Sequence, residues 1–116
     1  MWTISDTLDL PGFHEGSCAL AYHDEGIFIA GGWDETNDRK RLQYMDLSDG
    51  SLTTLDSMSE NRTEPGCALY QNGFVVAGGY SGDNLIPGDM KPNRKVEYYD
   101  VETGILCIHA ALLILF

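Results

Sequence analysis

One short pattern occurs twice in this chain of 116 residues and limits the folds that are open to it. Residues 26–32 read GIFIAGG and residues 73–79 read GFVVAGG, so the offset is 47 residues (26 to 73). Each copy has a glycine, four apolar residues and a glycine pair. An uninterrupted apolar run bounded by glycines is typical of a β-strand that is buried on both faces. A period of this size predicts a repeat architecture, built from copies of one supersecondary unit.

The segments around each copy predict a unit of four antiparallel strands. Turn signals such as Asp49-Gly50 and Asn72-Gly73 separate apolar or alternating segments, and no long window has helical periodicity. The first unit is predicted to have strands at 17–22, 26–32, 41–46 and 51–55. The second unit is predicted to have strands at 66–70, 73–79, 94–100 and 105–108, with a loop over 80–93. The sequence therefore predicts an all-β fold.

Further residues in register with these strands extend the similarity between the two units. Asp46 and Asp100 follow the two glycine pairs, and Leu52, Met58 and Arg62 come next in the first unit. In this order the pattern resembles the kelch repeat, in which an apolar strand ends in Gly-Gly and is followed by Tyr-Asp, tryptophan, methionine and arginine. Leu52 stands at the tryptophan position, so the unit departs from the family there.

The resemblance covers residues 17–106 and implies a β-propeller, in which four-stranded antiparallel blades are arranged around a central axis. The implied fold is a partial β-propeller of two kelch-type blades plus an N-terminal strand of a preceding blade. Residues 1–16 would end that preceding blade, 17–65 and 66–106 would be the two repeat units, and 107–116 would be an apolar tail that departs from the repeat. A propeller takes about four to eight blades. The chain is therefore expected to be part of a longer protein, and a ring shared by several chains is the alternative.

The charge balance of the chain limits its partners. The net charge is −11 and the isoelectric point is about 4.3. Nucleic-acid binding needs a basic surface, and an acidic protein is repelled by anionic lipid. We therefore expect neither nucleic acid nor a membrane as a partner.

The cysteines bear on the compartment of the protein. Cys18 and Cys67 occupy matched positions in the two units, in the segments SCAL and GCAL. At matched positions of adjacent blades, both are predicted to be small, buried structural thiols. An odd total of three cysteines and the lack of a signal-peptide pattern predict a reducing, intracellular location, which we take as cytoplasmic.

The sequence has no pattern typical of a catalytic or metal site. His14, His23 and His109 lie in three different contexts, and there is no Cys-x-x-Cys or paired histidine. The chain is therefore predicted not to be an enzyme and to carry no cofactor or metal.

The resemblance instead implies a protein-interaction module. In kelch proteins the loop after the glycine pair and the connection between blades lie at one end of the ring and hold peptide partners. Aromatic and arginine side chains on such loops often dominate binding energy. The residues at the corresponding positions, taken here as candidate partner-binding residues, are Trp33, Asp34, Glu35, Arg62, Thr63, Glu64, Tyr80, Ser81 and Asp83. A structural role is the alternative for Arg62, which would pair with backbone or an acidic neighbour, and for Trp33, which would cover the end of the unit.

The expected function is that of a non-catalytic adaptor or scaffold that binds a protein or peptide ligand. Two alternatives remain open. One is the substrate-recognition part of a ubiquitin ligase complex, and the other is a fragment of an extracellular kelch protein or carbohydrate oxidase.

Overall fold

A computed structural model of the chain describes residues 16–33, 39–81 and 91–108. These ranges contain ten β-strands and no helix, and therefore no helix that could cross a membrane. The strands form antiparallel sheets, none of which closes on itself. The prediction of an all-β fold is confirmed. Residues 1–15, which include the predicted N-terminal strand of a preceding blade, and the last residues of the apolar tail, 109–116, lie outside the described residues.

The first sheet is an antiparallel meander of four consecutive strands. They are β1 (Cys18–Tyr22), β2 (Gly26–Ala30), β3 (Leu42–Asp46) and β4 (Leu52–Thr54), in the spatial order β1-β2-β3-β4. The turn between β3 and β4 is stabilised by Asp46, whose carboxylate accepts hydrogen bonds from the backbone N–H and the hydroxyl of Ser48 at 2.8 and 2.6 Å. Gly50 completes that turn with a positive φ of 75°, as expected for the Asp-Gly signal.

The second sheet has the same order of pairing, with an excursion in the middle of the chain. Its four strands are β5 (Gly66–Tyr70), β6 (Gly73–Ala77), β9 (Val96–Asp100) and β10 (Ile105–Ile108). Between β6 and β9 the chain forms a separate two-stranded pair, β7 (Tyr80–Ser81) with β8 (Lys91–Pro92). The segment over 80–93, predicted as a loop, therefore begins and ends in paired strands. Strands this short carry no readable period in the sequence.

The hydrophobic core lies between the two four-stranded sheets. Its main buried side chains are Phe28 and Leu42 from the first sheet and Phe74 and Tyr99 from the second. Met58 joins them from residues 55–65, the connection between the two sheets. The ring centroid of Phe28 lies 4.6 Å from that of Phe74 and 5.9 Å from that of Tyr99. The equivalent second strands, β2 and β6, thus meet across the interface, with Phe28 and Ala30 of one and Phe74 and Val76 of the other in the core.

A disulfide between Cys18 and Cys67 joins the two sheets, with the Cα atoms 6.2 Å apart. The prediction that these residues are separate structural thiols is therefore wrong. They lie on β1 and β5, which are in contact with each other. Matched positions on two adjacent strands bring the two side chains face to face, a distance relation that a single sequence does not reveal.

Candidate functional site

The connection between the sheets is anchored by Arg62, whose side chain is fully buried. Its Nε and Nη2 atoms donate to Oε2 of Glu97 at 3.1 and 2.8 Å. Its Nη1 donates to the carbonyl oxygens of Gly78 and Lys95, both at 2.9 Å. The Glu97 side chain is also fully buried, and its Oε1 accepts from the backbone N–H of Ser59 at 2.8 Å. The guanidinium therefore holds the connection against the second sheet.

This placement decides between the two roles considered for Arg62. A side chain with no exposed surface offers no contact to a partner, whereas its ion pair and two carbonyl contacts satisfy a charge that would be costly to bury alone. Arg62 is therefore a structural residue in this conformation. This is the alternative role given for it above, in which it pairs with backbone and an acidic neighbour. It does not contribute to an exposed binding surface.

The next residue, Thr63, connects this anchor to the loop after the second glycine pair. The Thr63 backbone N–H donates to the Tyr80 carbonyl at 2.9 Å, and the Tyr80 N–H donates to the Thr63 carbonyl at 2.8 Å. The Thr63 hydroxyl accepts from Nη1 of Arg39 at 3.2 Å. Tyr80 is held by its backbone while 43% of its surface remains exposed. This combination of a fixed backbone and an exposed ring suits a contact residue.

The segment after the first glycine pair meets the same connection. The Gly32 N–H donates to the Arg62 carbonyl at 2.8 Å, and Trp33, which is half-buried, follows directly. Glu64 is exposed, and its N–H donates to the Gly16 carbonyl at 2.7 Å. The structure thus brings Trp33, Thr63 and Tyr80 to neighbouring positions. Three candidate residues, Asp34, Glu35 and Asp83, lie outside the described residues.

A surface depression of about 420 Å³ lies beside this junction. Ser81, half-buried and on the candidate list, forms part of it. The other lining residues, which the sequence did not indicate, are Lys40, Ser59, Glu60 and Asn61. Glu60 forms an exposed ion pair with Lys95, with Oε1 and Nζ 2.5 Å apart. The depression therefore presents both signs of charge, and nothing in the local sequence pattern marks the four lining residues other than Ser81.

The described ranges contain no group of three histidine, cysteine, aspartate or glutamate side chains that could hold a metal ion.

No protein-family model matches the chain, and no curated protein matches it.

Proposed function

We propose that this chain is part of a kelch-like β-propeller that binds a protein or peptide partner without catalysing a reaction. Two four-stranded antiparallel meanders, packed through equivalent second strands, support the blade interpretation. A meander places the loop after its second strand and the connection after its fourth strand at the same end. In a propeller these segments crowd one rim, where partners dock.

The observation that carries the proposal is the hydrogen-bonded junction of three chain segments around Thr63. Gly32 is the second glycine of the first pair, and its N–H donates to the Arg62 carbonyl. Tyr80 directly follows the second pair and exchanges two backbone hydrogen bonds with Thr63. The exposed ring of Tyr80 and the adjoining depression form a surface of mixed charge around an aromatic residue. Tyrosine is one of the residue types that most often dominate binding energy at an interface.

The disulfide favours the extracellular alternative over the intracellular location that the sequence predicts. Disulfides persist in oxidising compartments and are uncommon in the cytosol. The partner-binding proposal holds in either compartment. The carbohydrate-oxidase version has no specific support among the described residues.

The test uses affinity capture from the native cell type, followed by binding measurements with the identified partner. Tyr80→Ala should weaken binding by about 2 kcal/mol or more if the ring is a central contact. Asn72→Ala, at the exposed turn between β5 and β6, is the control at the opposite end and should leave affinity unchanged. If Asn72→Ala weakens binding as much as Tyr80→Ala does, or if neither changes it, the proposed surface is wrong.

A further inference from the structure

A second cavity, of about 270 Å³, lies between the two sheets at the end opposite Tyr80. Its walls include four aromatic rings, those of Tyr22, Phe28, Tyr44 and Tyr99. Phe28 is the central ring, with centroids 5.7 Å from Tyr22, 4.8 Å from Tyr44 and 5.9 Å from Tyr99. Because the rings come from β1, β2, β3 and β9, both sheets are needed to form this cavity.

The lack of a side chain at Gly26 leaves space for the ring of Tyr44. A Cβ atom added at Gly26 would overlap the ring of Tyr44. Gly26 is buried and pairs with Asp46 of β3. Asp46 is two residues from Tyr44 on the same strand, so the two side chains share one face of the sheet. The ring of Tyr44 therefore lies over Gly26 and is fixed at the mouth of the cavity.

Among the described residues, the wall of this cavity has one carboxylate, Glu25, and no lysine or arginine. It adjoins a more open cavity of about 490 Å³, which shares Glu25 and Tyr44 and adds Asp24 and Asp46. Burial raises the pKa of the Tyr44 phenol, and the charges of Asp46 and Glu25 raise it further. The potential at the mouth is therefore negative, on a chain that is itself strongly acidic.

We infer that this aromatic cavity binds the side chain of a lysine presented by a basic peptide. A cation over aromatic faces is attracted by the ring quadrupoles, and carboxylates at the mouth add direct charge attraction. The cavity volume lies just below the range of about 300–1,000 Å³ that is typical of pockets for small-molecule ligands, so one long side chain suits the cavity better. Apolar parts of the wall would contact the methylene stem, and Glu25, which also lines the cavity, would pair with the ammonium group. This site is separate from the Tyr80 surface and does not depend on it.

The test is isothermal titration of the full 116-residue chain with an amidated Gly/Ser peptide that carries one lysine. A matched peptide with norleucine in place of the lysine keeps most of the stem and removes the charge. The lysine peptide should bind at least about tenfold more tightly, since cation–π and carboxylate contacts act together. Its affinity should also fall as salt is raised, because the mouth is exposed.

Variants of the chain locate the site. Glu25→Gln and Tyr44→Ala should each weaken the lysine peptide by about fivefold or more, and Tyr44→Phe, which keeps the ring, should bind like the parent chain. The matched controls are Tyr98→Ala, on β9 at the position equivalent to Tyr44, and Glu64→Gln, an exposed carboxylate at the other end. Circular dichroism of each variant identifies loss of fold, and in that case Tyr44→Phe and Glu25→Gln alone decide.

Three results would overturn the inference. The first is equal affinity for the lysine and norleucine peptides, which would make the cavity a purely apolar groove. The second is equal weakening by Glu25→Gln and Glu64→Gln, which would mean attraction to overall charge. The third is the absence of measurable binding at millimolar peptide.

Discussion

At the scale of single residues, the ion pair between Arg62 and Glu97 determines how the connection packs on the second sheet. Both side chains are fully buried and 35 positions apart in the sequence. Removing one member of a buried pair leaves the other charge uncompensated, which costs about 3–5 kcal/mol. An exposed pair contributes about 0–1 kcal/mol, because water already solvates both ions.

We therefore expect Arg62→Ala to lower the free energy of unfolding by about 3–5 kcal/mol. The exposed pair supplies a matched control, since Lys95→Ala removes the cation opposite Glu60 and should cost less than about 1 kcal/mol. Urea unfolding of the full chain, followed by circular dichroism, measures both. Similar costs for the two substitutions would contradict a structural role for Arg62.

The position of Arg62 could be found from the repeat motif, but its partner could not. Glu97 lies in the alternating segment of β9, where a charged residue between Val96 and Tyr98 is usually predicted to face water. Its burial depends on the connection folding across the end of the sheet, which is a long-range relation. For the same reason the pairing of Thr63 with Tyr80 was not predictable, although both residues were named as candidates.

At the scale of elements, the glycine pairs allow each second strand to turn against the connection. Gly78 and Gly79 have φ of 71° and 82°, a region that L-residues other than glycine rarely adopt. Their surroundings differ. A Cβ at Gly79 would lie 2.7 Å from the Thr63 carbonyl oxygen, whereas a Cβ at Gly78 would meet no atom within 4 Å.

This difference predicts unequal effects from neighbouring substitutions. Gly78→Ala should cost about 1–2 kcal/mol for the left-handed backbone alone. Gly79→Ala should cost roughly 1–3 kcal/mol more, because backbone atoms must also move. Chemical unfolding of both variants gives the comparison. If Gly78→Ala proves the more destabilising of the two, the packing of Gly79 against the connection is incorrect.

The longer elements were predictable because their chemistry is local. The eight strands of the main sheets overlap the predicted segments, since apolar runs, period-two alternation and Asp-Gly or Asn-Gly turns mark them directly. The two-residue strands β7 and β8 have no such signature. Thr63, from a distant part of the chain, also pairs with Tyr80 of β7.

At the scale of the whole molecule, the two sheets are joined by a core of aromatic residues and by the disulfide between Cys18 and Cys67. The sequence indicated two similar units and an all-β fold, because repetition and strand patterns are visible in one chain. One sequence does not indicate how close β1 and β5 lie, so its prediction of two thiols differs from the disulfide in the structure.

The disulfide predicts a measurable dependence of stability on redox conditions. It closes a loop across a separation of 49 residues, for which the loop-entropy relation gives about 4 kcal/mol. The double variant Cys18→Ser/Cys67→Ser should therefore unfold at lower urea concentration than the oxidised parent. Alkylation of the unfolded, unreduced chain, read by mass spectrometry, should leave both residues unlabelled. Labelling of both would show that the thiols are reduced.

The buried charge on β9 also acts as a check on strand register. Successive side chains of a strand point to opposite faces, so a slip of β9 by one residue would turn Glu97 away and bring a neutral neighbour to its place. The guanidinium of Arg62 would then remain buried without a counter-ion, at a cost of several kcal/mol. Apolar contacts alone discriminate weakly here, because both flanking positions, Val96 and Tyr98, could fill a hydrophobic site. The ion pair thus selects one alignment of the second sheet from those that its apolar residues would tolerate.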